Sequence, residues 1–191
     1  MRNKILISFL FIFGITNAQS IENLRKGSTK MYDASYNMEF ETILDLTYPK
    51  LFELINRETM LTVLDQTFQN DFMRIRLVHP NTTFNYSEIK NLEGKKICVI
   101  RYPQAMRLIM ETKLDDESLK NMEEGLNTNM KNKKIKYEKD RNAFYIEGNE
   151  IMIGIADETT QNEWRFINYD PNQLEMLNIV LGKKVIEELG L

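Results

Sequence analysis

One cysteine, one histidine, four prolines and eight glycines occur in 191 residues, and each scarcity removes a class of structure or chemistry. Cys98 has no second cysteine to pair with. No internal disulfide can form, so stability must come from a packed core. Lying in the apolar run KICVIRY, its thiol is expected to pack as a small hydrophobe rather than act as a nucleophile. The lone His79 precedes Pro80 and excludes a multi-histidine metal centre. The glycines are too few and too scattered to cradle a phosphate. GxSxG, HExxH, P-loop, GxGxxG and CxxC patterns are all absent. These absences predict no metal, no cofactor and no recognisable catalytic residue.

Charge of one sign is lacking as well. The chain holds 25 Lys and Arg against 28 Asp and Glu, a net of −3. A nucleic-acid binder would carry a basic footprint, and none is visible. The one basic cluster, NMKNKKIKYEK at 129–139, falls at a helix-to-strand junction among acidic residues and is expected to be a solvated face. Long apolar runs are missing beyond the first residues. There, Arg2 and Lys4 precede an apolar segment from Ile5 to Ile15, followed by polar residues that end at the small Ala18. This is the layout of a secretory signal peptide. Its apolar segment is shorter than the roughly 20 residues that span a bilayer as a helix. The expectation is a signal peptide over 1–18, no stable membrane anchor after cleavage, and one α+β domain over 19–191, exported to the periplasm or the extracellular space.

Periodicity supplies the elements. Ile21, Leu24, Ser28, Met31, Tyr32 and Ser35 share one side of a helix over 21–37. A second helix starts near Glu39 with Phe40, Ile43, Leu44 and Thr47 inward, and it cannot pass Pro49 without a break. Proline suits the first turn of a restarting helix, where its missing N–H costs nothing. Asn56 can cap a third helix with Met60, Leu61, Val63, Leu64 and Phe68 on one side. From Met73 the period becomes two, with Met73, Ile75 and Leu77 alternating with Arg74 and Arg76, as in a half-buried strand. Further strands are expected at 84–90, at 96–112 with a bend at Pro103, at 134–139, and in a closing hairpin over 143–169. A helix near 115–131, capped by aspartate, interrupts the strands. A last helix opens with Asp170 and Pro171. Helices first and strands afterwards predict an α+β fold, with N-terminal helices packed on a curved, mostly antiparallel sheet, an inserted helix and a C-terminal helix.

The break Thr47, Tyr48, Pro49, Lys50 and Leu51, the strand pair Tyr102 and Pro103, and the closing Trp164, Phe166 and Asn168 resemble small exported bacterial proteins of the nuclear transport factor 2-like, cone-shaped α+β superfamily. The order of elements carries the resemblance over nearly the whole mature chain, apart from the helix near 115–131. The resemblance implies a conical pocket between helices and sheet, which members use for catalysis or for binding.

Tyr48, Tyr102, Met106, Tyr145, Met152 and Trp164 are the candidates to line such a pocket, which would suit a small apolar ligand. An enzyme of this shape would need a desolvated carboxylate beside a tyrosine, and Asp45 with Tyr48 is the obvious pair. On the helical projection, however, Asp45 lies about 140° from Phe40, away from the apolar face. Asp45 is expected in water and Tyr48 in the packing. The motif search favours an exported, non-catalytic module that binds a small apolar ligand or a protein partner and leaves a homodimer open. The alternatives are a cofactor-free lyase, isomerase or hydrolase using the cone, and a protein inhibitor acting through the sheet edge.

Overall fold

The computed structural model describes the backbone from Arg2 to Leu191 and the side chains from Ser20 onward. The expected signal segment and its cleavage point lie outside the described side chains. No helix among the described residues is long and apolar enough to cross a membrane. The fold is α+β, with N-terminal helices ahead of a curved, unclosed antiparallel sheet.

Helix α1 (Arg2–Asn37) is followed by α2 (Phe40–Leu46), a 3-10 turn at Pro49–Glu53, and α3 (Arg57–Phe68). Pro49 begins the 3-10 turn, and Asn56 caps α3 by accepting from the Thr59 N–H at 2.9 Å. Strands β1 (Met73–Leu77), β2 (Asn85–Tyr86), β3 (Lys90–Leu92) and β4 (Lys95–Met110) come next, then α4 (Asp116–Asn129). Strands β5 (Lys134–Glu138), β6 (Ala143–Ala156) and β7 (Arg165–Asn168) complete the sheet. The chain ends in α5 (Leu174–Leu181) and α6 (Lys183–Leu189).

Two of the expected elements divide. The segment 84–90 forms two short strands rather than one. The last helix is two, because Gly182 adopts φ 98° and ψ 134°, a backbone geometry that no α-helix accommodates. Pro103 does not interrupt its strand: β4 pairs with β6 without a register slip from Lys96↔Ala156 to Ile109↔Ala143. The Val99 and Ala105 carbonyls accept from Ser87 and Val78, so odd-numbered residues of β4 turn their backbone groups away from β6. Proline's missing N–H therefore falls on the side where β1 has ended and β2 has not begun, and the ladder loses no bond.

Two faces follow from alternation. Cys98, Ile100 and Tyr102 of β4 pack with Leu24, Met31 and Tyr32 of α1, together with Met152, Trp164 and Phe166. Helix α1 approaches closely because two glycines face it or lie on it. A Cβ on Gly154 would sit 2.8 Å from the Leu24 side chain, and one on Gly27 would sit 2.8 Å from the Phe166 ring. On the opposite face Ile97, Ile153, Ile155 and Ile167 meet Leu177, Val180 and Leu181 of α5 and Val185 and Ile186 of α6. A third cluster, built on Leu108, Met110, Phe144 and Ile146, is covered by Leu119, Met122 and Leu126 of α4. Helix α3 has no fully buried residue, and Val63, expected inward, is 51% exposed.

Trp164 is 5% exposed, and its indole N–H donates to the Ser20 carbonyl at 2.9 Å. Trp164→Ala therefore removes both a core ring and a tie to α1 and is expected to cost about 3–5 kcal/mol. Urea denaturation of both proteins checks this, and an unchanged midpoint would show that the ring bears no load.

Candidate functional site

Of the six pocket candidates, Tyr102, Met152 and Trp164 pack in the cluster beneath α1. Tyr48 belongs to the cluster on the opposite face, and Met106 lies against the α4 cluster. Tyr145 sits on the outer side of the sheet under the Arg107 guanidinium, 5.6 Å from its ring centre. The structure thus brings three of the six together, as mutual packing rather than as the wall of a cavity. Between α1 and the sheet, Tyr32, Phe84 and Tyr102 interlock with ring centres 5.3–6.1 Å apart, and the Tyr32 hydroxyl donates to the His79 carbonyl at 2.8 Å. The Tyr102 phenol is pushed upward by burial first, then by Glu150 and Tyr32 nearby, and stays protonated.

Asp45 is exposed and pairs with Arg57 at 2.7 Å, an interaction of little energetic weight at a surface. Tyr48 is fully buried, and its hydroxyl donates instead to Asp157 Oδ2 at 2.5 Å. This carboxylate, 109 positions away in sequence, is the one buried carboxylate among the described residues. It caps a 3-10 turn at Glu158–Thr160. Its Oδ1 accepts from the Thr159 hydroxyl at 2.6 Å and the Thr160 N–H at 3.1 Å, while the Asp157 N–H donates to Thr160 Oγ1 at 3.0 Å. Burial opposes ionisation of Asp157, yet the bonds from Thr159, Tyr48 and the backbone outweigh it and hold the carboxyl below its usual range. Burial, and then the bond to Asp157, push the Tyr48 phenol far up. A general base needs the opposite tuning. The pair is a tie between the helix break and the turn after β6.

Sequence reasoning passed over Asp157 within DETTQN. The cap pattern of Asp followed three residues later by Thr was there to be read, but nothing local announces that its second oxygen meets Tyr48. Cys98 is buried beside Ser87, and burial pushes its thiol up, in keeping with an inert packing role.

A concave feature lies elsewhere. At the level of Pro103↔Asn149 the sheet narrows to β4 and β6, since β1 and β2 leave a gap on one side and β5 and β7 on the other. Side chains close both gaps: the Thr82 hydroxyl donates to the Pro103 carbonyl at 2.7 Å, and the Lys133 ammonium to the Asn149 carbonyl at 3.1 Å. An open groove of about 580 Å³ crosses this waist. Pro103, Gln104, Gly148 and Asn149 line it, with the loop from His79 to Thr83 on one bank and Asn132 and Lys134 on the other. The lining mixes amides and hydroxyls with apolar surface and with the charged Lys134 and Glu147, and none of the six sequence candidates takes part. His79, exposed, is the one imidazole there. Among the described residues no group of His, Cys, Asp and Glu is placed to hold a metal ion.

Tyr48→Phe leaves Asp157 without one buried donor and is expected to cost about 1–3 kcal/mol near neutral pH. A depressed carboxyl stabilises the fold above its unfolded value of about 3.9 and stops doing so as pH falls through its folded value. The stability gap between wild type and Tyr48→Phe should therefore be wide near neutral pH and narrow in acid. Melting curves from pH 3 to 8 check it, and a gap that is absent or widens in acid contradicts the tie.

The chain matches no protein-family model and no curated protein.

Proposed function

We propose that the chain is an exported, soluble, non-catalytic binding or interaction module, similar in scaffold to the nuclear transport factor 2-like proteins. The observation that carries this reading is the filled space between α1 and the sheet. Leu24, Met31, Tyr32, Tyr102, Met152 and Trp164 occupy it, where a cone-shaped enzyme keeps its substrate. The buried carboxylate that might have served as a base, Asp157, is spent on a cap and on Tyr48. A surface ligand or protein partner then has the waist groove as a concave contact, where amides and hydroxyls beside apolar surface suit a ligand of mixed polarity. The signal-peptide layout of residues 1–18 supports export.

The test pairs turnover with binding. The purified chain is expected to turn over no ester, glycoside or enolisable ketone in a substrate screen. A photo-crosslinking residue at Gln104, on the groove floor, is expected to capture a partner in the producing cell that the same residue at Lys30, on the outer side of α1, does not. Turnover that Asp157→Asn abolishes while the fold survives would install the enzyme reading instead, and equal capture at both positions would remove the groove from the account.

A further inference from the structure

The outer face of the sheet, beyond the part covered by α5 and α6, gathers charge that the sequence scatters. Register places Arg76 opposite Arg107, Arg107 opposite Tyr145, and Tyr145 opposite Lys136, a single row across four strands. Alternation puts Arg74, Arg101 and Lys134 on the same face. The carboxylates there are fewer. Glu138 is held by Arg107 at 2.7 Å, Glu111 by Arg74 at 2.6 Å, and Glu147 by Lys134 at 3.3 Å. Arg76, Arg101 and Lys136 form none of the close ion pairs. Arg76 is instead fixed by the Phe68 carbonyl at 3.1 Å and the Gln69 side chain at 2.5 Å. Lys136 and Arg101 are exposed. The face is thus locally positive on a chain whose net charge is −3.

We propose that this face docks an extended acidic segment of a partner protein, laid across the strands along the Arg76, Arg107, Tyr145, Lys136 row. Charge complementarity selects the partner, and spacing selects its conformation. Neighbouring strands lie about 4.8 Å apart, so the row spans roughly 14 Å. An extended chain places alternate side chains about 6.8 Å apart on one side, so three carboxylates at alternate positions span the same distance. The first meets Arg76, the last meets Lys136, and the middle one reaches the Nη1 side of Arg107, whose Nε and Nη2 are bonded to Glu138. Tyr145 supplies a flat ring between the cations. None of the four row residues lines the waist groove, although Lys134 and Glu147 beside them do.

The probe is a fluorescein-labelled peptide of six Glu-Ser repeats, titrated against the purified chain at low salt, with a Gln-Ser peptide and dextran sulfate as controls. The Glu-Ser peptide is expected to bind, the Gln-Ser peptide not, and added salt to weaken the complex. Lys136→Glu is expected to raise Kd by about tenfold or more, mainly through slower association and faster loss of the complex. Lys30→Glu, on α1, should change it by less than about twofold. Arg76→Gln, at the other end of the row, serves as a second variant if Lys136→Glu fails to fold, and it is expected to raise Kd as well. The proposal is overturned if the Glu-Ser peptide does not bind, if Lys30→Glu weakens binding as much as Lys136→Glu, if dextran sulfate binds and the peptide does not, or if the face proves to be covered by a second copy that Lys136→Glu releases.

Discussion

The unbroken pairing of β4 with β6 is the constraint on which the remaining architecture depends. Fourteen residue pairs run from Lys96↔Ala156 to Ile109↔Ala143, and the backbone bonds that join them come from even-numbered residues. The odd-numbered residues of both strands therefore point outward along two free edges. Each edge is filled in pieces: β1, β2 and β3 attach to β4, while β5 and β7 attach to β6. A two-stranded spine with short attachments leaves a waist where the attachments stop. Pro103 occupies that waist because it is the one interior position of β4 where no strand asks for an N–H. The groove, its sealed edges and the division of the core all follow from this geometry.

A long spine must also be covered along its length on both faces, and no single helix does so. Helix α1 covers one end of the inner face, α4 the other, and α5 with α6 cover part of the outer face. What remains uncovered is the charged outer region around Arg107 and Tyr145. The Tyr48 to Asp157 bond joins the start of this arrangement to its end, since Tyr48 lies at the break between α2 and the 3-10 turn while Asp157 directly follows β6. The Tyr48 N–H also donates to the Phe166 carbonyl at 3.0 Å, so backbone and side chain fasten the same corner. Interiors filled to this degree hold little space for a substrate. The two functional proposals accordingly concern surfaces, the groove and the basic face.

Much of the fold was legible because it rests on local patterns. The restart at Pro49, the Asn56 cap, the aspartate cap of α4, where Asp115 accepts from the Ser118 N–H at 2.7 Å, the alternation of β1 and the order of helices before strands are written in adjacent residues. The same holds for Asp45, which helical phase turns outward. Gly182 was legible in kind, as a residue that allows a break, but not in effect, because glycine inside a helical pattern is tolerated as often as it terminates. Pro103 breaks no pairing with β6 because a proline's cost depends on which neighbour its nitrogen faces, and pairing order decides that.

The candidate site was much less legible, for the same reason. Tyr102, Met152 and Trp164 are recognisable as strand aromatics and apolar residues, yet whether they line space or fill it depends on Leu24, Met31 and Tyr32 arriving from α1. Asp157 meets Tyr48, and Arg76 joins Arg107, Tyr145 and Lys136, only through pairings between distant segments. The basic face looked like evenly mixed charge in sequence, because alternation interleaves its cations with core residues such as Ile75 and Leu77.

Native-state hydrogen exchange followed by NMR tests the spine most directly. The amides of Cys98, Ile100, Tyr102, Met106 and Leu108, which face β6, should open only with global unfolding, and Val99, Arg101 and Ala105, which face the pieced edge, should exchange through smaller local openings. Equal protection of even and odd positions along β4, or opening of the even set while the contacts of α1 remain protected, would contradict a structure built on the β4 to β6 ladder.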